Sequence, residues 1–71
     1  MTFFSWLTAN AYREDGVGEI AKKVVDDKSY PVYMFDIYSV HEQVLTQKGA
    51  SDEDHRLLRR AWREYASRYR N

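Results

Sequence analysis

A chain of 71 residues without a cysteine must be held together by its interior alone. No disulfide can staple it, and no thiolate zinc site can nucleate it. A domain of this length buries only about 60% of the surface its unfolded chain exposes, so large apolar side chains have to be concentrated. They are: 44% of the residues are hydrophobic and 15% aromatic. The same length leaves room for one domain, residues 1–71. It excludes two-domain enzymes and (β/α)₈ barrels.

Apolar residues recur at helical spacing in four stretches, and nowhere do they alternate with period two for long enough to make a strand. The first helix is expected from about 3 to 12, with Thr2 as N-cap and Phe3, Trp6, Leu7, Asn10 and Ala11 on one face. Phe4 lies off that face. The second spans about 16–28, capped by Asp15, with Val17, Ile20, Ala21 and Val24 inward. Pro31 stops it and biases Tyr30 towards an extended conformation, with a trans bond expected between them. The third spans about 37–47, capped by Asp36, with Ile37, Val40, His41 and Val44 sharing a face and Gly49 at the left-handed position after its end. The fourth begins at Ser51, carries Asp52, Glu53 and Asp54 in its first turn, and aligns Leu58, Ala61, Trp62, Tyr65 and Tyr69. Two antiparallel hairpins, helices 1–2 and 3–4, packed across each other would bury the four faces together, with Trp6 and Trp62 as anchors.

Charge is balanced overall and polarised along the chain. Eleven basic residues cancel eleven acidic ones. Residues 1–54 carry five basic and ten acidic side chains, whereas residues 55–71 carry six arginines and one glutamate. No apolar run approaches the roughly 18 residues a membrane span needs. Met1 to Leu7 lacks the basic start of a signal peptide, so the cytoplasm is the expected compartment and no membrane partner is expected.

The order of several motifs resembles the YozE-like family of small bacterial proteins. Thr2-Phe3-Phe4-Ser5-Trp6-Leu7 is similar to the family's opening. Asp15 to Pro31 matches without a gap through the Asp27-Lys28-Ser29-Tyr30-Pro31 ending. Leu58-Arg59-Arg60-Ala61-Trp62-Arg63-Glu64-Tyr65 is similar to its apolar-x-x-Ala-Trp-x-x-Tyr signature. The resemblance implies an all-α, SAM-like bundle of four helices, in a bacterial or phage protein. SAM-like folds host both protein-binding and DNA-binding modules, so the resemblance implies a fold and no activity. The chain departs from the family in a more apolar segment after Pro31 and a more arginine-rich last helix.

Several constellations can be drawn and weighed. Gly16-Val17-Gly18-Glu19-Ile20-Ala21 fits the dinucleotide fingerprint formally, but no strand precedes it and its flank is acidic; a helix start with Gly18 allowing close packing explains it better. His41, on an apolar face, reads as a hydrogen-bonded residue at the core's edge. Asp52, Asp54 and His55 could be drawn as a metal site, yet all three suit a solvated helix start. The serines have no base beside them in sequence, and a bundle this small has little volume for a pocket. No catalytic residue, cofactor, metal or small-molecule substrate is expected.

Two surfaces remain. Arg56, Arg59, Arg60, Arg63 and Arg70 lie opposite the apolar face of helix 4. Asp52 can pair with Arg56, and Glu64 with Arg60 or Arg68, whereas Arg59 and Arg63 have no such partner within the helix. This face is either solvated and answered by acids on other helices, or it contacts phosphates or an acidic protein. Val32-Tyr33-Met34-Phe35 either folds back as a lid or presents Tyr33, Met34 and Phe35 as interface anchors, which Phe4 would extend. The expected function is a non-enzymatic interaction module binding a protein partner or a second copy of itself. The alternative is a nucleic-acid-binding module using helix 4.

Overall fold

The computed structural model describes residues 1–31 and 36–69. They form an all-α bundle: α1 (Phe3–Asn10), α2 (Gly16–Asp26), α3 (Tyr38–Gln47) and α4 (Asp52–Tyr69). The caps explain most of the boundaries. Thr2 Oγ1 accepts from Ser5 N–H at 3.2 Å and Asp15 Oδ1 from Gly18 N–H at 3.0 Å. Ser51 Oγ accepts from Asp54 N–H at 3.1 Å, while the Asp54 carboxylate reaches back to Ser51 N–H. α3 ends at Gly49, φ +73°, where Ala50 N–H bonds Leu45 C=O at 3.0 Å and Gly49 N–H bonds Thr46 C=O at 3.1 Å. That pairing satisfies two carbonyls that the helix end would otherwise leave open. Among the described residues every peptide bond is trans, Tyr30–Pro31 included.

α4 is the common partner. It packs against α1, α2 and α3, and α1 packs against α2, whereas the backbone of α3 stays beyond 8 Å from those of α1 and α2. The two hairpins therefore meet through α4. Gly18 sets the tight turn between α1 and α2: a Cβ there would stand 1.8 Å from Arg13 C=O, so only glycine fits. Between α2 and α3 a hollow of about 230 Å³ lies over Ile20, Val24, Tyr30 and Leu45. Two ion pairs span its rim, Lys23–Asp54 at 2.7 Å and Lys48–Asp27 at 2.9 Å.

The interior is aromatic. Phe3 is fully buried and meets His41, Trp62 and Tyr65 with ring centroids 4.9, 5.0 and 5.4 Å away. Trp6 and Tyr65 are buried beside it, and Leu7, Val17, Ile20, Ala21, Val24 and Leu58 complete the packing.

Four expectations need correction. α1 stops at Asn10, where its side-chain amide turns back to Trp6 C=O. α3 is rotated: Ile37 is 49% exposed, while His41 and Leu45 are buried. Tyr38 packing on Trp62 at 5.7 Å and Tyr30 bonding His41 fix that rotation. On α4 the buried face is shifted towards Leu57, which packs against Gly16 of α2. Trp62 is thereby left half-buried and Tyr69 49% exposed. Asp36 caps no part of α3; Ile37 occupies that position without a side-chain bond.

Candidate functional site

Asp36 works elsewhere. Its Oδ1 accepts from Phe3 N–H at 2.8 Å, satisfying an open donor of α1, and its Oδ2 accepts from the Tyr65 hydroxyl. Tyr65 Oη also lies 2.7 Å from Met1 C=O. On the other side His41 Nε2 stands 4.0 Å from Asp36 Oδ1, and His41 Nδ1 lies 2.6 Å from Tyr30 Oη. The partners assign the tautomer: Tyr30 donates to Nδ1, and the Nε2 proton faces the carboxylate. Burial pushes His41 down to about 4 against a smaller opposing pull from Asp36, and burial pushes the Tyr30 phenol up. The order phenol–imidazole–carboxylate has the connectivity of a nucleophile–base–acid relay. Tyr30 and His41 are only 4% and 2% exposed, however, so what this network does is join the start of the chain, Tyr30, Asp36, α3 and α4.

The chemistry available to a partner is on the outer side of α4. Arg56, Arg59, Arg60 and Arg63 are exposed and surround a hollow of about 300 Å³ floored by Leu57. Their internal partners differ from those expected. Arg56 pairs with Glu53, three residues earlier, rather than with Asp52. Glu64 pairs with Arg13 of the α1–α2 turn at 3.3 Å rather than with Arg60 or Arg68. Arg59 answers Glu42 of α3 at 3.8 Å. Arg13 also holds Asp15 at 2.5 Å. The Asp15 carboxyl is depressed first by the Gly18 N–H, then by Arg13, with Arg60 adding a weaker field. Among the described residues Arg60, Arg63 and Arg68 make no ion pair.

The remaining sequence candidates fall as follows. Tyr33, Met34, Phe35 and Arg70 lie outside the described residues. Phe4 is half-buried with its ring stacked on Tyr30 at 6.0 Å. Asp54 is committed to Lys23 and to the Ser51 cap. Among the described residues no three His, Asp or Glu side chains converge for a metal. Nor, among them, is any helix long and apolar enough to cross a membrane.

One surface was not anticipated. A groove of about 270 Å³ runs between α1 and the end of α4, lined by Trp6, Ala9, Asn10, Arg68 and Tyr69, with Met1 at one end and the Arg13–Glu64 pair at the other. Tyr12, 77% exposed, stands in the adjoining turn, and Met1 is 67% exposed. Helical spacing places Tyr69 on the apolar face, so periodicity conceals its exposure. Tyr12 sits just past the end of α1, where periodicity carries no signal.

No family model, curated protein or solved structure matches the chain.

Proposed function

We propose that this chain is a non-enzymatic interaction module that engages an acidic protein partner through the outer side of α4. The observation that carries this reading is the arginine-lined hollow beside Leu57, in which some cations are already matched to carboxylates of the chain itself. A face of mixed sign with an apolar floor suits a folded protein surface, where charge steers and apolar contact holds. The apolar run 32–35 remains the sequence's own source of anchors. Kinship with the YozE-like family, a bacterial or phage origin and a cytoplasmic setting belong to the same proposal.

A nucleic-acid reading has one observation in its favour. Arg56, Arg60 and Arg63 recur at i, i+4 and i+7 along a helix of 18 residues, on the side away from the core. The two readings separate by salt. Titration with duplex and single-stranded DNA is expected to show no binding at about 50 mM salt. Binding there that collapses by about 200 mM would overturn the protein reading in favour of nucleic acid. The Arg59→Glu/Arg63→Glu variant should abolish either kind of binding while leaving the helical circular dichroism unchanged.

A further inference from the structure

We infer that the groove between α1 and the end of α4 takes one large apolar side chain from an acidic segment of the partner protein; this rests on the reading of α4 as a protein-binding face. Three of the four large hydrophobic residues exposed among the described residues, Met1, Tyr12 and Tyr69, border this groove or the turn beside it. Its floor is the rim of Trp6, and the Tyr69 ring is braced by Tyr65 at 5.5 Å, so the aromatic wall is set before anything binds. Tyr, Trp and Arg are the residues that dominate binding energy at protein interfaces.

Charge selects the occupant. Glu64, the acid in the groove, is already held by Arg13, so it does not repel a carboxylate. Arg68 lies in the groove wall and has no ion-pair partner among the described residues. A segment whose apolar residue enters between Trp6 and Tyr69 would set a neighbouring carboxylate against this arginine. At about 270 Å³ the groove lies below the range of about 300–1,000 Å³ typical of small-molecule pockets.

The probe is a randomised pool of synthetic peptides, each with one Leu, Phe or Trp among Asp and Glu residues, selected against the full chain. Selected peptides are expected to move the Trp6 indole resonance in a ¹H–¹⁵N spectrum and to leave that of Trp62, on the α3 side, in place. Ala9→Glu, which fills and repels at an exposed helix position, and Tyr69→Ala should each weaken binding about tenfold. Replacing the peptide's acids by Lys, or its apolar residue by Ser, should do the same. Peptides that bind while the Trp6 signal stays still, or that ignore Ala9→Glu and Tyr69→Ala but are lost in Arg59→Glu/Arg63→Glu, would overturn the groove and leave the protein-binding reading standing. A pool that yields no binder, together with capture of DNA at low salt, would sink both. Concentration-dependent dimerisation abolished by Tyr69→Ala would assign the groove to a second copy of the chain and overturn the acidic partner.

Discussion

On its inner side α4 packs Leu57, Leu58, Ala61 and Tyr65, none more than 7% exposed, against three other helices. On its outer side the same helix turns Arg56, Arg59, Arg60 and Arg63 to solvent, with a forked exposed pair from Glu53 to Arg56 and a long one from Glu42 to Arg59. The inner residues are fixed several times over, by packing, ring geometry and the Asp36–Tyr65 bond. The outer ones are held by exposed ion pairs at most, worth little in water. A substitution inside should therefore cost stability and tell little about binding; one outside should change binding and leave stability alone.

Phe3 tests the inner side hardest. It is fully buried and touches rings from α3 and α4. Phe3→Ala should cost about 3–5 kcal/mol, a large share of what so small a domain has. Urea denaturation would measure it. Trp62→Ala should cost less, since Trp62 is half-buried at the boundary between the two sides. Equal losses would mean that the boundary is drawn in the wrong place.

Acid probes the same interior through His41. In the folded chain its imidazole stays neutral down to about 4, whereas the unfolded chain takes up the proton near 6.5. Stability is thus full above pH 6.5 and falls as the pH drops towards 4, by about 3 kcal/mol. Asp27, held down to about 2 chiefly by Lys48, adds its own loss only at lower pH, below 3.8. A Tyr30→Phe/His41→Leu pair, which removes donor and acceptor together, should flatten the upper window and leave the lower one. Denaturation midpoints at pH 7, 5 and 4 would show whether it does.

Asp36 gives a smaller effect of the same kind. It caps α1 through Phe3 N–H and receives the Tyr65 hydroxyl. Asp36→Ala should cost about 2 kcal/mol, the size of a lost cap with a charged acceptor. Because Asp36 favours the charged imidazole, its removal should push the His41 titration lower still. An NMR titration of the His41 ring would read that shift separately from stability.

The reach of the sequence follows the same division. Caps and apolar spacing read correctly where a helix meets its neighbours through one stripe, as α2 does with Val17, Ile20, Ala21 and Val24. The reading slips where contacts are distant in sequence. Asp36 stands one residue before Ile37 and looks like a cap for α3, but its partners are 33 and 29 residues away. Ile37 and Tyr69 continue apolar patterns past the point where another helix covers them. The arginine stripe was legible as a stripe; its partners were not. Helical spacing points Glu64 to Arg60 or Arg68 and says nothing of Glu42, whereas the chain's turns bring Glu42 to Arg59 and Glu64 to Arg13.

The outer side predicts the smallest change in stability. Arg63 is exposed and has no ion pair among the described residues, so its guanidinium gives up nothing on removal. Arg63→Glu moreover introduces a carboxylate between Arg59 and Arg60, where it can pair. Its stability should stay within about 0.5 kcal/mol of the parent. A melting scan in low and high salt would check this, since any gain from the new pair should fade as salt screens it. A loss of several kcal/mol would mean that the outer face is structural after all, and the contrast between the two sides of α4 would then cease to identify a binding surface.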